Sequence, residues 1–182
     1  MNFLTQRQSR LAALVGASLL AWSVGAQGAQ HALVAGVWDY EAPGLALEAP
    51  RNGLVLMGDL LDAARYESGS LTVLENPTKA KLIAAFESAA QLIQADDTFL
   101  FYFSGHGARI IDKFGVDPGD EARGKYPDLD DEALLPVDVD LARPETYLLD
   151  DELGALISAL GTRDVACIID TCYSGTSSRR PG

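Results

Sequence analysis

Four short runs of the chain are almost continuously apolar, at 32–38, 71–74, 98–103 and 165–169. Runs of that length without polar alternation predict strands buried on both faces, as in a parallel sheet. Between them the period becomes helical. Residues 52–66 carry Leu56, Leu60, Leu61 and Ala64 on one side. Residues 79–94 carry Leu82, Ile83, Phe86, Ala90 and Ile93 as a stripe behind Thr78, a candidate N-cap. Residues 151–160 carry Leu153, Leu156, Ile157 and Leu160, with Asp150 suited to cap the start and Gly161 to end it. Strand and helix in alternation predict an α/β fold with right-handed crossovers. The stretch 108–149 breaks the rhythm. It holds Gly115, Pro118, Gly119, Gly124, Pro127, Pro136 and Pro144 among many acids. So long a connection is either functional or a solvated acidic loop. Leu134 and Leu135 are expected to dip back onto the core.

The beginning of the chain follows another pattern. Arg7 and Arg10 precede an apolar run over 11–22, and no acid precedes Asp39. That run is shorter than the roughly 20 residues that span a bilayer. With Val24-Gly25-Ala26 after it, it predicts a secretory signal peptide within residues 1–29, cut after Ala26 or after Ala29. Residues 30–182 then form one catalytic domain, soluble after signal cleavage, without a membrane span, and secreted or periplasmic.

Composition narrows the partners. The 182 residues hold 26 acidic and 14 basic side chains, a net charge of −12. Loss of Arg7 and Arg10 makes it −14. A protein that neutralises nucleic-acid phosphates usually has the opposite sign, so no nucleic-acid partner is expected. Two cysteines build neither a disulfide framework nor a structural zinc site, and no metal site is expected.

The candidate chemistry lies where two predicted strands run into polar turns. One continues as Ser104-Gly105-His106-Gly107 and the other as Asp170-Thr171-Cys172-Tyr173-Ser174-Gly175. In α/β sheets, ligands bind beyond the carboxyl ends of the strands. If the two strands are neighbours, His106 and Cys172 share one edge. A thiol with a pKa of about 8.5 is mostly protonated at neutral pH, and an imidazole can take its proton and later protonate a leaving amine. The backbone amide of Gly107, and that of Cys172 itself, can face a developing oxyanion. Cys167, inside a predicted strand, reads as a core residue.

Four blocks carry a resemblance: Phe101-Tyr102-Phe103-Ser104-Gly105-His106-Gly107, Asp131-Glu132-Ala133-Leu134-Leu135-Pro136-Val137-Asp138, Asp150-Asp151-Glu152-Leu153 and Asp170-Thr171-Cys172-Tyr173-Ser174-Gly175. In this order they resemble the catalytic core of caspase-like cysteine peptidases, in the metacaspase and bacterial orthocaspase branch. The resemblance implies a caspase–haemoglobinase three-layer sandwich with a mostly parallel sheet. It implies a peptidase with Cys172 as nucleophile, His106 as base, and Ser104 and Asp170 in a pocket for Arg or Lys before the cut bond. Its partner would be a protein or peptide substrate. No cofactor is required, although calcium activates many such proteins through acids resembling Asp131, Asp150 and Asp151.

This chain departs from that pattern in several places. An acid that usually lines the pocket is absent where Arg51-Asn52-Gly53 stands, and Tyr173 takes the usual position of a histidine. Residues 177–180, Ser-Ser-Arg-Arg, offer no acid where a calcium ligand usually follows the cysteine. Only ten residues follow Cys172. The resemblance implies about two further strands, so the C-terminal part of the domain is expected to be missing or supplied as a separate small subunit. A catalytically silent binding module of the same fold is the alternative, and a divalent-ion scaffold is another. A Cys-dependent phosphatase fits poorly, because Arg179 lies one residue beyond the C-x-x-x-x-x-R spacing.

Overall fold

The computed structural model describes residues 28–64, 66, 71–111 and 130–173. Residues 1–27 of the expected signal peptide, the 112–129 part of the long connection and the 177–180 segment lie outside them. The elements run β1 (Gln30–Gly36), α1 (Ala49–Ala63), β2 (Leu71–Glu75), α2 (Lys79–Leu92), β3 (Thr98–Ile111), β4 (Asp130–Leu134), a 3-10 turn (Pro144–Thr146), β5 (Leu148–Leu149), α3 (Asp150–Ser158) and β6 (Asp164–Tyr173). β1 pairs in parallel with both β2 and β3, and β6 pairs in parallel with β3. The far end of β3 pairs antiparallel with β4, and β4 with β5.

The alternation of β1 builds the layers. Ala32 and Val34 face one side with Leu100 and Tyr102 of β3, under Leu54, Met57 and Leu61 of α1. Leu33, Ala35 and Val37 face the other side with Phe99, Phe101 and Phe103, under Leu82 and Phe86 of α2. Leu153, Leu156 and Ile157 of α3 pack partly buried against that second cluster. The Phe86 ring lies 4.9 Å from Phe101 and 5.8 Å from Phe99, at tilted or edge-on angles that favour aromatic pairs. Helices on both faces of a mostly parallel sheet make the expected three-layer α/β architecture. Among the described residues, no helix is long and apolar enough to cross a membrane.

Several local expectations are corrected. Among the described residues β2 and β6 lie at the edges of the sheet and are not buried on both faces: Val73 is 49% and Ile169 41% exposed, and Cys167 is exposed rather than in the core. β3 runs on to Ile111 because its second half finds β4 as a partner, so part of the 108–149 connection is sheet. Leu134 and Leu135 are buried as expected. Asp150 is the first residue of α3, and Leu149 precedes it as the cap; the Leu149 amide donates to Glu152 at 3.0 Å. Gly161 lies beyond the helix, where a Cβ would come within 2.4 Å of the Ile93 carbonyl, so close backbone approach explains the glycine. Thr78 caps α2 as expected, its hydroxyl accepting from the Lys81 amide at 3.2 Å.

Candidate active site

Backbone hydrogen bonds tie together the loops at the carboxyl end of the sheet. Asn76 has a φ of 45°, a left-handed conformation that asparagine tolerates better than most residues. There its side-chain oxygen accepts from the amides of Trp38 at 2.8 Å and Asp39 at 3.0 Å. The Glu41 amide donates to the Val137 carbonyl at 3.0 Å, and the Leu135 amide to the His106 carbonyl at 3.0 Å. The segment after β1 is thereby held against the end of β3.

That segment supplies two contacts to His106. The Tyr40 hydroxyl accepts the His106 backbone N–H at 2.7 Å and donates to the Leu135 carbonyl at 3.2 Å. The Tyr40 ring stands 5.0 Å from the imidazole. On the ring itself, Nε2 meets the Leu45 carbonyl at 3.0 Å. A carbonyl only accepts, so Nε2 carries the proton and Nδ1 the lone pair. Nδ1 is buried and has no hydrogen-bond partner among the described residues. A buried imidazole nitrogen left as an acceptor is costly unless something uses it.

The register brings the expected pair together. His106 and Cys172 are Cα partners on neighbouring parallel strands, with Ser104 opposite Asp170 and Gly107 opposite Tyr173. Both residues stand within the paired ladder and not in turns beyond it. Gly107 belongs to two ladders, opposite Leu134 of β4 as well. A Cβ on Gly107 would come within 3.0 Å of the Thr171 hydroxyl.

A second cluster lies one step back along the strands. Ser104 is buried, and its hydroxyl donates to the Asp170 carboxylate at 3.2 Å. The Tyr102 hydroxyl reaches the same carboxylate oxygen at 3.4 Å. Burial pushes the Tyr102 phenol above its ordinary value, with the Asp170 charge adding to that and Ser104 opposing it. Gly53 of α1 lies over this cluster, and a Cβ there would be 2.4 Å from the Tyr102 hydroxyl and 3.5 Å from Ser104 Oγ.

Among the described residues, no group of three His, Cys, Asp or Glu side chains could hold a metal ion. Glu132 pairs with Arg109 at 3.3 Å.

With this geometry in view, the match to known proteins is decisive. A family model for the metacaspase, peptidase C14 domain matches residues 58–181. The chain belongs to the metacaspase family. Metacaspase III c of Phaeodactylum tricornutum is 33% identical over 119 residues, covering 61% of this chain and 32% of that protein. Metacaspase-2 of Arabidopsis thaliana is 36% identical over 103 residues, covering 55% and 22%. This metacaspase chain therefore spans about a third or less of the length of these curated relatives. A crystal structure of a Geobacter sulfurreducens protein superposes with a TM-score of 0.61 at 27% identity, over 82% of this chain and 52% of that one.

Sequence reasoning singled out His106, Cys172, Ser104, Asp170 and Gly53. It missed Tyr40, the Leu45 carbonyl and Tyr102. Tyr40 follows the first strand among polar and small residues, and nothing in its spacing signals the partner it finds 66 positions later. A backbone carbonyl leaves no trace in sequence at all.

Proposed function

We propose that this protein is an exported cysteine endopeptidase in which Cys172 is the nucleophile and His106 the base. The observation that carries this reading is the parallel register of His106 against Cys172, with the imidazole held so that Nδ1 bears a lone pair that has no partner among the described residues. The Leu45 carbonyl orients the ring and stabilises it when it becomes charged, the role a third group performs in nucleophile–base pairs.

In this mechanism His106 Nδ1 takes the thiol proton of Cys172. The sulfur bonds to the carbonyl carbon of the scissile peptide, and the negative charge gathers on the carbonyl oxygen. The backbone amides of Gly107 and Cys172 stabilise that oxyanion. The C–N bond breaks as His106 returns the proton to the leaving amine. Water then enters, His106 accepts its proton, and the thioester opens to release the acid and restore the thiol. No cofactor takes part. Ser104 and Asp170 receive the side chain before the cut bond, and a carboxylate held by two hydroxyls selects Arg or Lys. The basic start and apolar run over 11–22 support export.

The test uses protein expressed from its complete reading frame and fluorogenic peptides with Arg, Lys, Asp or a neutral residue before the scissile bond, with and without calcium. Hydrolysis after a basic residue that disappears in both Cys172→Ala and His106→Ala is the expected result. A folded wild-type protein that cleaves none of them, while still binding peptide, would replace this reading with a silent binding module.

A further inference from the structure

We propose that Tyr102 is a specificity-determining residue of the substrate pocket, and that it is coupled to Gly53. The inference rests on the peptidase reading and concerns which basic side chain is preferred. Gly53 sits inside α1, where glycine costs about 1 kcal/mol relative to alanine. The space above it explains the choice: any Cβ would stand 2.4 Å from the Tyr102 hydroxyl, closer than non-bonded atoms allow. Tyr102 cannot swing away easily, because it is only 5% exposed and packs with Leu54, Met57 and Leu100. The phenol hydroxyl therefore occupies the volume that a side chain from position 53 would need. The same hydroxyl reaches Asp170 Oδ2 at 3.4 Å, beside Ser104 Oγ at 3.2 Å.

The consequence is a pocket with one carboxylate and two hydroxyls. With their protons turned to Asp170, the oxygens of Tyr102 and Ser104 keep lone pairs for a ligand. A guanidinium spreads five N–H donors over a plane and can reach the carboxylate and hydroxyl oxygens together. A lysine ammonium is a compact, strongly hydrated charge with three donors. The pocket therefore favours Arg over Lys, and Tyr102 sets that preference by positioning Asp170 and excluding a second acid.

A double-mutant cycle tests this in the full-length protein. Tyr102→Phe keeps the ring and removes the hydroxyl. It should lower kcat/KM on the Arg peptide about ten-fold, as loss of a hydrogen bond to a charged group does, and shrink the Arg-to-Lys ratio. Gly53→Asp alone should lower the melting temperature and the activity. Gly53→Asp combined with Tyr102→Phe should recover both and raise cleavage after Lys, a non-additive outcome expected only of touching residues. Gly53→Ala gives the steric half of the claim a readout apart from activity: it should destabilise the wild type and be tolerated beside Tyr102→Phe. Additive effects, or an unchanged Arg-to-Lys ratio in an active Tyr102→Phe protein, would overturn the inference and leave the peptidase reading intact. A wild-type protein inert on every peptide would overturn both.

Discussion

The Tyr40 hydroxyl holds the backbone N–H of His106 at 2.7 Å while donating to the Leu135 carbonyl at 3.2 Å. It joins the segment after β1 to the end of β3 at the residue whose ring must be aimed. Tyr40→Phe leaves a buried amide and a buried carbonyl without their partner, at a cost of about 1–3 kcal/mol. We expect kcat to fall several-fold with KM nearly unchanged, because the substrate pocket is elsewhere. Steady-state kinetics beside urea unfolding separates the two effects; a rise in KM alone would contradict the positioning role.

Tyr40 also gives an alkaline signature. Burial pushes its hydroxyl up to about 12, against the His106 amide that pulls it down. The folded value lies above the unfolded one of about 10. Its contribution to stability is therefore complete below pH 10 and is lost as pH rises through the folded value. Tyr40→Phe should remove one hydroxyl from the tyrosinate absorbance that titrates late, and should flatten the loss of stability between about pH 10 and 12.

Asp97 anchors the other end of the sheet. It is 5% exposed, and its carboxylate accepts from Gln94 at 2.7 Å, Ala29 at 2.6 Å and His31 at 3.3 Å. The Gln94 amide is the main cause of a carboxyl held below its ordinary range; burial opposes this, and Ala29 and His31 add to it. That stability is complete above about pH 4 and lost as pH falls through the lower folded value. Asp97→Asn should lose on the order of 3 kcal/mol at neutral pH and show a flatter acid-unfolding curve. An unchanged curve would show that Asp97 contributes no such stability.

The same contacts bear on the two processing sites proposed from the sequence. Ala29 donates to Asp97 and accepts from the Thr98 amide at 3.0 Å. Cleavage after Ala26 keeps both bonds and cleavage after Ala29 removes both. N-terminal sequencing of exported protein should begin at Gln27; a start at Gln30 would contradict the prediction.

Much of this was legible in the sequence, for identifiable reasons. Phe99, Phe101, Phe103 and the stripe through Leu82 and Phe86 declare a strand and a helix because burial fixes their period. The four motif blocks declared the family. Pairing was harder to read. That β3 continues to Ile111 depends on β4, whose acidic Asp130-Asp131-Glu132 resembles a loop when read alone. Cys167 looked like core because strand periodicity does not tell a central strand from an edge. Tyr40 and Leu45 reach His106 only through the path of a loop, which no local pattern records.

In the proposed reaction Cys172, activated by His106, attacks a peptide carbonyl. The most direct test treats the full-length protein with a peptidyl acyloxymethyl ketone bearing Arg next to the reactive carbon, and locates the adduct by mass spectrometry. We expect a single adduct on Cys172, none on Cys167, and loss of labelling in His106→Ala. Cys167 is exposed, but partial desolvation by its neighbours pushes its thiol up, toward the less reactive protonated form. An adduct on Cys167 instead, or equal labelling of Cys172 with and without His106, would contradict it.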